Sequence, residues 1–269
     1  MPERVLVIDP TFSLAMALEL GLPVVGAPLD LMTDTKLKDE ALTADVTSIG
    51  LVTEPSLERI VALQQDLIVG LAGSESRAAG IHGMATQLAP TLLYTSPDWK
   101  AFYRLLGRVA GKEAAVAEVL DTYEARVADL RERMPGTKVS VLRITSWDFQ
   151  VYLDAPNAYA PFAILRDAGV QRSPYETTDD PSLSLKRPDR EELAALVGEI
   201  LLYIVGGTNA SDTNGRHEEV LADPLFKMLP AVQAGRLHRV DHATWMEFSG
   251  LRSAHQLLDQ LEEYIIGAE

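Results

Sequence analysis

Two glutamates stand where a chain could present charge to a symmetric partner. Pro55-Ser56-Leu57-Glu58-Arg59-Ile60-Val61-Ala62-Leu63 aligns without a gap on Pro188-Asp189-Arg190-Glu191-Glu192-Leu193-Ala194-Ala195-Leu196, which makes Glu58 and Glu191 equivalent positions 133 residues apart. The match continues as Asp66-Leu67-Ile68-Val69 against Glu199-Ile200-Leu201-Leu202. Each copy carries a proline, a polar cap candidate, a glutamate in the first helical turn, an apolar helix face, an acidic residue and a strand. Part of this follows from helix physics alone, since carboxylates are favoured at helix N-termini. The chemical expectation is that two equivalent exposed carboxylates dock on two equivalent basic sites of a dimeric partner.

The residue sets that enzymes use are missing. There is no cysteine, which excludes disulfides, thiolate metal sites and cysteine nucleophiles. No glycine-rich dinucleotide loop follows a strand, and no phosphate loop, G-x-S-x-G elbow or H-E-x-x-H is present. His82, His217, His238, His242 and His255 are scattered; His238 and His242 have only Asp241 as a nearby acid and read as surface histidines rather than a zinc site. A formal net charge of −15 argues against nucleic acid and anionic membrane as partners. No apolar run is long enough to cross a bilayer.

The elements that would position these residues alternate between strand and helix patterns, the mark of α/β architecture. Strands are expected at 5–8, 24–27, 67–70 and 91–94, with helices at 12–20, 55–63 and 77–88. A helix over 98–110 leads to a long one over 112–134, where Val116, Val119, Leu120, Tyr123, Val127 and Leu130 form an apolar stripe. At about 1.5 Å per residue this is a rod of roughly 35 Å, long enough to join two halves. The pattern then restarts: strand 139–144, a hairpin partner at 150–153, helix 161–168, helix 188–197, strands 200–205 and 236–240, and a closing amphipathic helix over 253–266. The expected organisation is an N-terminal α/β lobe over 1–111, a connecting helix over 112–134 and a C-terminal α/β lobe over 135–269.

Several stretches together resemble a known family. Ile49-Gly50-Leu51-Val52-Thr53-Glu54-Pro55-Ser56-Leu57-Glu58-Arg59-Ile60, Asp223-Pro224-Leu225, Leu229-Pro230-Ala231-Val232-Gln233-Ala234-Gly235-Arg236-Leu237, residues 240–245 and residues 250–258 are similar to the signatures of the class III, helical-backbone, periplasmic metal-chelate and siderophore-binding proteins of ABC importers, with a flavour of the ferric hydroxamate binders. The resemblance implies two Rossmann-like lobes joined by one rigid helix, a ligand cleft between them, no catalysis and no intrinsic cofactor. The ligand it implies is an Fe(III)–siderophore complex; cobalamin or haem is the alternative within the family, and a small-molecule α/β enzyme the alternative outside it. The implied partner is an ABC permease with its ATPase, whose arginines meet Glu58 and Glu191, and the carrier is expected to be a monomer. The chain opens almost directly into a strand pattern, which by itself reads as cytosolic. The family implies the periplasm or a lipoprotein on the outer face of the membrane, with the leader trimmed away. Two positions depart from hydroxamate binders: Gln87 stands where some carry arginine, and Asp180-Pro181-Ser182 where some carry tryptophan.

In α/β sheets ligands sit beyond the carboxyl ends of the strands. A bulky anionic chelate needs aromatic walls and guanidinium donors there. Trp147, in a segment with no evident core role, is the first candidate, and Arg77, after Gly73-Ser74-Glu75-Ser76, the second. Trp245, Arg143, Tyr152, Tyr159, Arg252, Thr208 and Asn209 complete the expected ligand-binding set.

Overall fold

The computed structural model describes residues 1–71, 79–95 and 98–267. The chain divides into two compact units, the first comprising Met1–Thr122 with Glu247–Arg252 and the second Tyr123–Met246 with Ser253–Glu269.

In the first unit, β1 (Val5–Val7), β2 (Val24–Ala27), β3 (Thr47–Ser48), β4 (Leu67–Leu71) and β5 (Thr91–Tyr94) form one sheet in the order β3-β2-β1-β4-β5. Every pairing in it is parallel. β1 is buried along its whole length, as expected of a parallel strand covered on both faces. The helices are α1 (Phe12–Glu19), α2 (Thr35–Thr43), α3 (Leu57–Ala62), α4 (Ala79–Leu88) and α5 (Trp99–Ala110). Neither α2 nor β3 is expected from the sequence. α2 buries only Leu37 and Ala41, so its apolar period is faint, and it is set by Asp34, whose side chain accepts from the Leu37 N–H. α5 is capped by Asp98 and closed by Gly111 in the left-handed region at φ 64°.

The long helix α6 (Glu113–Arg133) carries its residues through Thr122 in the first unit and from Tyr123 in the second. Val116, Leu120, Tyr123, Val127 and Leu130 are buried along it, whereas Val119 is 36 % exposed and does not belong to the stripe.

In the second unit, β6 (Val139–Ile144), β7 (Phe149–Tyr152), β8 (Leu185–Lys186), β9 (Ile200–Ile204) and β10 (Leu237–Val240) pair in the order β10-β9-β6-β7-β8. The first three strands of that order run parallel, and β7 and β8 are antiparallel additions at one edge. The helices are α7 (Ala160–Asp167), α8 (Arg216–Ala222), α9 (Pro224–Lys227), α10 (Pro230–Gln233), α11 (His242–Met246) and α12 (Leu251–Leu261); α12 starts in the first unit and ends in a π-helical turn at Glu262–Ile266.

The repeat seen in the sequence has a physical basis at its caps. The Ser56 hydroxyl accepts from the Arg59 N–H at 3.3 Å, and Asp189 accepts from the Glu192 N–H at 3.0 Å, so both caps reach three residues ahead. Ile60 and Leu193, equivalent in the alignment, are both buried. The second copy is nevertheless not the helix expected over 188–197. It is a four-residue 3-10 turn, Glu192–Ala195, with Glu191 at its N-cap. Just beyond that turn, Gly198 passes against β6, where a Cβ would lie 2.4 Å from the Ser140 nitrogen. Glu58 and Glu191 are both exposed.

Candidate ligand-binding site

The period of two in β6 and β7 sorts their side chains between two faces. Leu142, Ile144, Phe149 and Val151 enter an apolar cluster with Leu193, Leu201, Val220 and Phe226. Arg143, Gln150 and Tyr152 therefore share the opposite face, with Arg143 directly across from Gln150 in the hairpin register. Arg143 Nη1 donates to Gln150 Oε1 at 3.3 Å, and the Tyr152 hydroxyl donates to the same oxygen at 3.3 Å. The Gln150 amide nitrogen donates to both Asp148 oxygens, at 3.2 and 3.3 Å. Asp148 in turn accepts from Thr145 and forms an ion pair with Arg187.

His242, at the start of α11 just beyond β10, brings its Nε2 to 3.5 Å from Arg143 Nη2. The ring occupies space that only glycine leaves open: a Cβ on Gly206 would lie 2.6 Å from the His242 Cβ, and one on Gly207, at φ 75°, would lie 2.7 Å from its ring. Burial, followed by the nearby Arg143 charge, pushes His242 down to about 4, so it is neutral at pH 7. His242 is thus half-buried and built into the strand ends, contrary to the expectation of a surface histidine. His238 is also half-buried, stacking on Tyr264 at 4.9 Å.

Aromatic rings floor this face. Tyr152 stacks on Phe162 with centroids 4.8 Å apart and lies 6.2 Å from Tyr159, whose hydroxyl donates to the Met246 carbonyl at 3.2 Å. Arg143, Tyr152 and Tyr159, all expected from the sequence, are therefore brought together, and Gln150, Asp148 and His242 join them.

The other expected residues stand elsewhere. Trp147 is 61 % exposed, with the Arg187 guanidinium 5.1 Å above its ring. It borders a separate cavity of about 370 Å³, on the face of Phe149 and Phe226, together with Asp189, Arg216 and Glu219. Trp245 has no exposed surface; its indole N–H donates to Gln260 at 2.8 Å and it packs edge-on to Phe162, so it backs the aromatic floor from within the core. Arg252 makes a bidentate pair with Glu40, at 2.8 and 3.1 Å, in the first unit. Thr208 is exposed, and the Asn209 carbonyl accepts from the Ser146 N–H at 2.8 Å, tying the β9 loop to the β6 turn. Arg77 lies outside the described residues, as do Gly73, Ser74, Glu75 and Ser76.

Among the described residues there is no group of three or more histidine, cysteine, aspartate or glutamate side chains placed to hold a metal ion. The Arg143 guanidinium, on a face floored by tyrosine rings, can instead bind the periphery of an anion.

Two α/β units built on parallel strands, with a polar, aromatic-floored face on the sheet of one of them, define a two-unit solute-binding architecture. The chain belongs to the periplasmic binding protein family, whose profile matches residues 10–244. It is 27 % identical to the probable siderophore-binding lipoprotein YfiY of Bacillus subtilis (strain 168), over 98 % of this chain and 83 % of that one. It is also 27 % identical to the Fe(3+) dicitrate-binding periplasmic protein FecB of Escherichia coli (strain K12), over 95 % of this chain and 82 % of that one. Its fold matches that of Staphylococcus aureus SirA, solved in complex with staphyloferrin B, with a TM-score of 0.82 at 23 % identity, covering 98 % of this chain and 92 % of that one. The protein is accordingly an extracytoplasmic substrate-binding protein of an ABC importer and not an enzyme.

Proposed function

We propose that the chain captures an anionic ferric chelate, of the siderophore or ferric citrate kind, and hands it to an ABC permease. The observation that carries this reading is the half-buried Arg143, whose partners Gln150 and His242 are both neutral. A partly desolvated guanidinium with no carboxylate partner among the described residues favours an anion that can accept its fork of N–H groups. The siderophore named for YfiY and the ferric dicitrate named for FecB are chelates of the kind this reading requires. Tyr152 and Tyr159 supply ring surface beside the charge, and the iron arrives as cargo with its own chelator.

Delivery rests on Glu58 and Glu191, one exposed carboxylate in each unit, meeting arginines of a permease that works with its ATPase. The carrier acts as a monomer, in the periplasm or as a lipoprotein on the outer face of the membrane.

Titration of tryptophan fluorescence with ferric citrate, ferric siderophores, haem and cobalamin tests the ligand class. A ferric chelate is expected to quench with the highest affinity; tighter binding of haem or cobalamin would move the chain to another ligand. For delivery, the Glu58→Ala/Glu191→Ala double variant should bind ligand as the parent does while uptake in a reconstituted importer is lost. Loss of ligand binding in that variant would show that the two glutamates serve the ligand instead.

A further inference from the structure

We infer that Gln150 sets the charge selectivity of the site by holding Arg143 without neutralising it. This deepens the reading in which Arg143 meets an anionic ferric chelate.

The geometry gives the amide a defined orientation. Its nitrogen faces the Asp148 carboxylate, which can only accept, so its oxygen must face Arg143 and Tyr152, which donate. Gln150 is 4 % exposed, in a strand whose register with β6 places it directly across from Arg143. A glutamate would fit the same space and accept from the same guanidinium. It would also cancel the charge that attracts the ligand, turning a neutral support into a buried ion pair. Asp148, which accepts from the amide nitrogen, is already engaged by Arg187 on the far side of the amide. Gln150 therefore works as a neutral spacer: it passes positional order from the Asp148–Arg187 pair to Arg143 and keeps the negative charge of Asp148 one side chain away. His242, neutral at pH 7, supports the second side of the guanidinium in the same manner.

Two substitutions separate charge from shape. Gln150→Glu keeps the acceptor and adds a charge; Gln150→Met removes the acceptor and adds none. The probes are ferric citrate and an anionic ferric tris(catecholate), with the tighter of the two on the parent protein taken forward, and an electroneutral ferric trihydroxamate as reference. Gln150→Glu should weaken the anionic probe by about a hundredfold, the scale of a charge-assisted hydrogen bond lost to a competing carboxylate. It should change affinity for the neutral probe only a few-fold, so the anion-to-neutral ratio collapses. Gln150→Met should weaken the anionic probe by about tenfold or less. The double variant Gln150→Glu/Asp148→Asn, which restores an N–H donor opposite the new carboxylate, should show the same collapse even where the single variant folds poorly.

Equal losses in Gln150→Glu and Gln150→Met, or an unchanged anion-to-neutral ratio, would overturn the inference while leaving Arg143 as the anion-binding residue. Retention of the anionic probe by Arg143→Gln, or failure of the parent to bind either anionic probe, would instead overturn the underlying reading and the inference with it.

Discussion

Replacing Arg143 with glutamine is expected to weaken an anionic ferric chelate by about a hundredfold while leaving the fold intact. The loss follows from removing a partly desolvated guanidinium that donates to the ligand, worth about 1.5–3 kcal/mol for a hydrogen bond to a charged group. The fold is expected to tolerate the change because neither neighbour depends on Arg143. Gln150 Oε1 keeps the Tyr152 hydroxyl as a donor, and Arg143 has no carboxylate partner among the described residues to leave unpaired. Lysine should not rescue it fully, since a point charge cannot reproduce the planar fork. Isothermal titration calorimetry beside thermal unfolding separates the outcomes: weak binding at an unchanged melting temperature is expected, and unchanged binding would remove Arg143 from the site.

The largest expected effect on stability comes from a pair that touches no ligand. Glu176 is fully buried and accepts from Arg172 at 2.6 Å, Ser140 at 2.8 Å, Ser173 at 3.0 Å and the Val141 N–H at 3.1 Å. It thereby joins the 3-10 turn Pro174–Glu176 to the middle of β6. Arg172, whose side chain is 1 % exposed, also donates to the Tyr152 carbonyl at 3.3 Å and sits 5.9 Å from the Phe162 ring, beneath the aromatic floor. Glu176→Ala would strand that guanidinium without a counter-charge, at about 3–5 kcal/mol. For a chain of this size that lowers the melting temperature by roughly 10 °C. Arg172→Met should do less harm, because Glu176 would keep three neutral donors, while Arg172 Nε and Nη1 have no hydrogen-bond partner among the described residues. Urea unfolding of the two single variants reads the asymmetry; equal losses would mean that the pair acts only through packing.

Much of the fold was legible because its signals are local. The caps Ser56 and Asp189, the left-handed Gly111 and the uninterrupted apolar strands each act within a few residues of themselves. What the sequence hides is long-range. The pattern Leu193-Ala194-Ala195-Leu196 suits a helix as well as a 3-10 turn, and nothing local in it announces that Gly198 must fit against Ser140, 58 residues away. Trp245 has the aromatic character of a ligand wall, yet Gln260 satisfies its single donor and lets the indole be buried. Arg252 offers a guanidinium, yet Glu40, 212 residues away, already holds it. Gln150 escaped notice for the opposite reason: a search for charge passes over a neutral amide. Its importance comes from register, which places it opposite Arg143, and the Arg143-x₆-Gln150 spacing across a tight hairpin was the available clue.

The most direct measurement is the position of the iron in crystals grown with the tighter-binding anionic ferric chelate, located by anomalous diffraction at the iron edge. The expected result is a peak over the Arg143–Gln150–Tyr152 face, with chelator oxygens within hydrogen-bond reach of the Arg143 guanidinium. A peak in the cavity of Trp147, Phe149 and Arg216 on the opposite face of the sheet, or one remote from Arg143, would contradict it.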